Sequence, residues 1–204
     1  MNTRTTLLSL APRAPSSALA KLPRCRLICR TLLIFSASLS WAQGPRPTVP
    51  QVEAAYLYNF GKFVTWPPDR TTDADQFRIC VLGKDPFGSV LDSTVAGELI
   101  GGRQIAVRRI THVQQAAPCN ILFVSASEED NLRPVLDEAN RLHILTVSDL
   151  KRFAQRGGVI GLSVQAERVR FEVNRKAAER SHLQLSSELL KVAFKVIDKD
   201  EAGK

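Results

Sequence analysis

Four groups of residues in this sequence have types and spacings that could do chemistry. Cys25 and Cys29 lie close together near the start, while Cys80 and Cys119 lie in the body of the chain. Gly83-Lys84-Asp85-Pro86-Phe87-Gly88-Ser89 has the glycine separation of a phosphate-binding loop. It lacks the lysine such a loop needs, and Pro86 removes a backbone donor, so a strand-to-helix turn is the better reading. Tyr56, Tyr58, Phe60, Phe63 and Trp66 concentrate aromatic surface within one short stretch, suited to a core or to a partner. Arg180-Ser181-His182 forms a polar bend ahead of the last expected helix. Its Arg and His could hold an anionic ligand near that helix's N-terminal dipole, against the plainer reading of solvated surface.

Nothing among these demands an enzyme. There is no G-x-G-x-x-G, no G-x-S-x-G and no H-E-x-x-H, and His112, His143 and His182 stand apart in sequence. No metal ligand set, cofactor or catalytic residue is assigned. Glu128-Glu129-Asp130 is explained by its position at a helix start.

The net charge of +8 belongs to the N-terminus. Six of the 28 basic residues and none of the 20 acidic ones lie in residues 1–42, leaving 22 against 20 in the rest. A basic body for nucleic acid is therefore not expected. Basic residues up to Arg30 precede an apolar run, Thr31 to Leu39, and then Ser40-Trp41-Ala42. That order is a secretory signal over 1–42, with a mature start at Gln43 and no cysteine to carry a lipid. Its basic stretch is long, which leaves the true start codon open. The protein is expected in the periplasm. Export would remove Cys25 and Cys29 and leave Cys80 and Cys119 as a pair in an oxidising compartment, where a disulfide is favoured over two buried thiols. Whether such a bridge is structural or redox-sensing stays open.

The elements that must position these residues follow from periodicity. Residues 43–48 read as a linker, and Thr48 with Gln51 as a capping box. Val52, Ala55, Tyr56, Asn59, Phe60, Phe63 and Val64 then mark the apolar face of a helix ended by Trp66-Pro67-Pro68. Tyr58 and Leu57 point away from that face, toward a second buried face or a partner surface. Strands are expected at 77–82, 104–110, 121–124 and 143–147, and helices near 89–94, 128–141 and 149–155. A hairpin follows (159–164 with 169–173), then a helix from Ser187 whose stripe is Leu189, Val192, Ala193, Val196 and Ile197. The fold class is α/β: a single domain over 49–198, a mixed β-sheet with a C-terminal antiparallel hairpin, covered by helices. Residues 199–204 form a polar tail.

In order, these segments resemble the YfiR family of exported proteins. The resemblance rests on Ala54-Ala55-Tyr56-Leu57-Tyr58-Asn59-Phe60-Gly61-Lys62-Phe63-Val64 with Trp66-Pro67, and on Ile79-Cys80-Val81-Leu82-Gly83 with Asp85-Pro86-Phe87-Gly88. It continues in Cys119-Asn120-Ile121-Leu122-Phe123-Val124-Ser125, Leu145-Thr146-Val147-Ser148-Asp149, Val169-Arg170-Phe171-Glu172-Val173-Asn174 and Ser186-Ser187-Glu188-Leu189-Leu190-Lys191. The resemblance implies a periplasmic repressor of a membrane diguanylate cyclase, YfiN-like, with a YfiB-like outer-membrane lipoprotein as a further partner and a homodimer as the state. Cys80 and Cys119 match the family's paired cysteines, while a second pair found in its best-studied branch is absent. For binding, the expectation falls on Arg180, His182, Tyr58 and Leu57. The alternatives are a periplasmic small-ligand sensor or carrier and the partner of a membrane sensor kinase.

Overall fold

The computed structural model describes residues 46–68 and 75–198. The expected signal segment with Cys25 and Cys29, residues 43–45 of the linker and the polar tail lie outside these residues.

Helix α1 (Val49–Phe63) starts where the sequence implies. Gln51 Oε1 reaches back to accept the Thr48 N–H at 2.8 Å, and Pro50 sits in the first turn, where no backbone donor is needed. Its buried stripe is turned from the expected one: Glu53, Ala54, Leu57, Phe60 and Gly61 face inward, whereas Asn59 and Phe63 are exposed. Glu53 and Gly61 hide this stripe from a hydrophobicity count. Gly61 is there for close approach, since a Cβ would meet Ile100 Cδ1 at 2.5 Å and Phe77 at 3.1 Å. The helix ends at Phe63 rather than at the prolines. Val64–Thr65 extends as β1 and pairs antiparallel with Gln184–Leu185, β9, in a two-stranded ladder.

The main sheet has eight strands. In chain order they are β2 (Gln76–Leu82), β3 (Leu99–Ile100), β4 (Arg103–Ile110), β5 (Ile121–Val124), β6 (Leu145–Ser148), β7 (Ile160–Gln165), β8 (Arg168–Asn174) and β10 (Lys195–Ile197). Their spatial order is β10-β8-β7-β6-β5-β2-β4-β3. Strands β4, β2, β5, β6 and β7 are parallel; β8 turns back on β7, and β10 runs parallel to β8 at the edge. The hairpin turn is two residues, Ala166-Glu167, both at positive φ (47° and 60°), the geometry whose twist matches the strands. Helices α2 (Ser89–Val95) and α3 (Leu132–Arg141) occupy crossovers, with α1 and α2 against one face and α3 against the other.

Three C-terminal expectations are corrected. Residues 149–155 form tight turns, not a helix, with Arg152 at φ 57°. The left-handed backbone at Arg152 interrupts any right-handed helix there. Arg175–Arg180, not expected as a helix, is α4, capped by Asn174 Oδ1 accepting the Ala177 N–H at 2.9 Å. The last helix, α5, covers only Ser187–Val192. Val196 and Ile197 leave the supposed stripe to join β8 as β10, because an available strand partner outweighs helical spacing in β-branched residues.

Alternation along β2 divides the interior. Phe77, Ile79 and Val81 join the core under α1, with Phe60, Phe123 and Phe171, while Cys80 and Leu82 join the core under α3. Cys80 and Cys119 are joined by a disulfide in that second core, Cα atoms 5.9 Å apart, and neither is exposed.

Candidate functional site

The hairpin, α1 and the chain leaving α5 meet in a groove of about 220 Å³. Strand β8 turns Val169 and Phe171 toward α1, where Tyr56 lies edge-on to Phe171 at 5.4 Å and donates its hydroxyl to the Val169 carbonyl at 3.3 Å. After α5 the backbone extends at Ala193, and the Phe194 N–H bonds the Phe171 carbonyl at 2.9 Å. That bond fixes the entry to β10 and leaves Val192 70% and Phe194 52% exposed. Arg170 lies over the Phe194 ring at 5.3 Å, and Arg168 and Lys195 are exposed beside it. The result is a groove with two exposed apolar side chains and a cationic rim, next to a strand that lies at the edge of the sheet among the described residues. Covering either apolar side chain fully would contribute about 1.5–3 kcal/mol. Sequence reasoning placed Val192 on a buried stripe and did not single out Phe194, Arg168 or Arg170. The two arginines are exposed on the hairpin strand β8, and Phe194 is placed beside them by its backbone bond to Phe171.

The four residues expected to bind are not brought together. Leu57 is 0% exposed in the core, so the partner role given to it is corrected: the second face it points to is buried. Tyr58 lies on the outer side of α1, its hydroxyl on Glu98 and Lys62 Nζ 3.8 Å above its ring. Arg180 ends α4 and lines a polar cleft of about 400 Å³ together with Arg133, Asp137, Asn140 and Arg156. His182, two residues on, stacks edge-on with His143 at 5.0 Å. The expected electrostatics there are reversed. Arg180-Ser181-His182 lies at the C-terminal, negative end of α4, and α5 begins only after its own cap, Ser186.

The crevice where open α/β sheets bind ligands lies between β2 and β5, where the crossover direction reverses. Here its backbone donors are spent internally. The Gly83 N–H goes to the Ile110 carbonyl, Lys84 N–H to Ser127 Oγ at 2.9 Å and Phe87 N–H to Asp85 Oδ1 at 2.7 Å. Gly83, at φ 85°, leaves no room for a Cβ against Ser127 and Glu128. Arg109 ties the loop down from β4, bonding Asp85 at 2.9 Å and Asp92 through two nitrogens, and it holds the Asp92 carboxyl below its ordinary range. The phosphate-loop spacing in the sequence is thus a closed turn.

One buried acid stands out. Glu53 is 4% exposed on the inward stripe of α1, and burial, with the negative charge of Asp149 nearby, pushes its pKa up to about 7. Other buried polar side chains carry strong hydrogen bonds: Asn120 Oδ1 accepts the Arg78 N–H at 2.9 Å, and the Ser148 hydroxyl donates to the Val124 carbonyl at 2.6 Å.

The YfiR/HmsC-like family model matches residues 50–194. Among solved structures, the chain is similar to a conserved domain protein from Vibrio cholerae at 11% identity, covering 73% of this chain and 60% of that one, with a TM-score of 0.52. It thus spans about three fifths of that protein, and the likeness is one of fold. Weaker similarity reaches an ABC domain in complex with L-Trp from Streptococcus pneumonia (12% identity, 59% and 55% covered, TM-score 0.45). It also reaches CD0873, a substrate binding protein with adhesive properties from Clostridium difficile (10% identity, 61% and 55% covered, TM-score 0.43).

Proposed function

The chain belongs to the YfiR/HmsC-like family, and we propose from that premise that it is an exported periplasmic regulator in cyclic-di-GMP signalling. It docks on the periplasmic domain of a membrane diguanylate cyclase and holds that enzyme inactive; it is itself no catalyst. The observation that carries this reading is the groove where the exposed side chains of Val192 and Phe194 lie beside Arg168 and Arg170. Exposed aromatic and aliphatic side chains flanked by arginines are the composition of a protein-binding hot spot. Residues 1–42 are the export signal, the active form is a homodimer, and a YfiB-like lipoprotein is the natural competitor for the same molecule.

Repression of this kind is a linkage effect. A protein that binds only the inactive cyclase shifts the cyclase by its differential affinity. Moving the equilibrium from 99:1 active to 1:99 requires about 10⁴-fold preference for the inactive form. Reduction of the Cys80–Cys119 bridge would release the cyclase by weakening the repressor fold. Both sulfurs lie inside the core under α3, so reduction has to pass through opening of that core.

The test is a Val192→Asp/Phe194→Asp double variant titrated against the purified periplasmic domain of the cyclase. Placing charges at the centre of the groove is expected to cost about 2–4 kcal/mol of binding, roughly 30- to 1,000-fold in Kd. Both residues are exposed, so the unfolding midpoint should stay near that of the unaltered protein. Full affinity in a folded double variant would remove the groove from the interface.

The polar cleft favours a second reading, a small-ligand sensor. Asn140 Oδ1 is buried there without a hydrogen-bond partner, on a wall that also carries Arg133, Arg156 and Arg180. Thermal stabilisation by a small ligand that brings a hydrogen-bond donor to that oxygen, with no cyclase present, would favour it.

A further inference from the structure

We infer that His143 and His182 form a two-imidazole chelating site for a divalent transition-metal ion, copper(II) foremost. Far apart in sequence, they follow two different helices, His143 after α3 and His182 after α4, each at φ 54°. The two turns are built alike. The His143 N–H bonds the Asn140 carbonyl at 3.0 Å and the Ile144 N–H bonds Ala139 at 2.9 Å; likewise His182 bonds Glu179 at 3.0 Å and Leu183 bonds Ala178 at 2.9 Å. This is the left-handed helix stop that glycine or asparagine fills most easily. Histidine at both stops is not what the backbone asks for, and the fold sets the two rings side by side.

The surroundings suit a cation held by neutral imidazoles. Two helix C-termini converge on the pair, each presenting the negative end of its dipole. His143 Nδ1 lies 3.2 Å from the Ser181 carbonyl oxygen, which can only accept, so Nδ1 is the donor there and Nε2 is the nitrogen left to bind a metal. A ring nitrogen donating to a backbone carbonyl while the other stays open is the usual outer-shell arrangement of a metal-binding histidine. The ring centres are 5.0 Å apart, with planes at 85°. A metal about 2.0–2.1 Å from one nitrogen of each ring, held at an angle between the roughly 90° of a tetragonal copper site and about 110°, places the ring centres about 4.5–5.2 Å apart. His182 is exposed, so its ring can turn to present a nitrogen. Among the described residues no group of three or more His, Cys, Asp and Glu side chains could hold a metal. The remaining positions therefore fall to water or to a group from a bound partner. With only two protein ligands, the order of affinities among divalent ions selects copper first.

The experiment is a copper(II) titration of the untagged protein, read by calorimetry and by electron paramagnetic resonance. The expected result is one copper per chain with nitrogen couplings from two imidazoles. His143→Asn and His182→Asn should each weaken binding by on the order of tenfold or more, and His112→Asn should leave it unchanged. Asparagine tolerates the left-handed backbone, so these variants keep the helix stops. The resonance spectrum is read on the unaltered protein and does not depend on any variant folding. A single-imidazole spectrum, or equal binding by a His143→Asn/His182→Asn double variant, would overturn the site.

Discussion

Replacing Cys80 and Cys119 together by alanine is expected to lower the unfolding free energy by about 4 kcal/mol, the chain-entropy value for a loop of this size. The bridge closes a separation of 39 residues and links β2, near the middle of the sheet, to the segment that enters β5. Set against a typical domain stability of about 5–15 kcal/mol, that is a large share of the total. In urea the midpoint should fall by about 2 M for a slope near 2 kcal/mol/M. Because neither cysteine is exposed, a reductant applied to the native protein should act only as fast as the core under α3 opens. Rapid reduction with the fold intact would contradict this account of the bridge and restore a surface redox switch.

Replacing Glu53 by glutamine should change how stability depends on pH. An acid whose pKa is higher in the folded than in the unfolded chain binds more protons when folded, so stability falls as pH rises between the two values. For Glu53 that window runs from about 4.5 to about 7. The full penalty of ionising it inside α1's buried stripe is up to about 3 kcal/mol, from 1.36 kcal/mol per pKa unit. Glu53→Gln keeps the shape of the side chain and cannot ionise. The variant should match the unaltered protein near pH 4.5 and exceed it progressively up to pH 8. Asp92, lowered by its hydrogen bond to Arg109, contributes with the opposite sign: its stabilisation is present above its unfolded pKa and is lost as pH falls through the folded one. The difference between the two proteins cancels Asp92 and reports Glu53 together with its coupling to Asp149. Parallel stability curves across the whole range would show that Glu53 ionises without penalty in the folded chain.

The parts of the fold legible in sequence are those where local chemistry and tertiary context agree. Thr48 with Gln51, the unbroken apolar run Ile121–Val124 and the alternation across Ala166-Glu167 all appear where their pattern implies. Misreadings arise where a partner element decides. Val196 and Ile197 sit at helical spacing from Leu189 and Val192, yet the open edge of β8 takes them into the sheet. Glu53 and Gly61 lie on the buried face of α1 and would be placed outside by hydrophobicity alone. Leu57 followed the same error of phase. Of the groove at Val192 and Phe194 almost nothing is legible in the sequence, because the Phe194 backbone is drawn to Phe171 across a ladder that a single sequence does not signal. His143 and His182 are a further case: their juxtaposition depends on two helix stops from distant parts of the chain.

Repression of a membrane cyclase from the periplasm would be read in cellular cyclic-di-GMP after deletion of the gene. Complementation would use the full chain, a version lacking residues 1–42, and the Val192→Asp/Phe194→Asp variant. Deletion is expected to raise cyclic-di-GMP, and the full chain alone to reverse the rise, with the groove variant exported and folded but inactive. An unchanged cyclic-di-GMP level, in cells that export the folded protein and contain the cyclase, would contradict it.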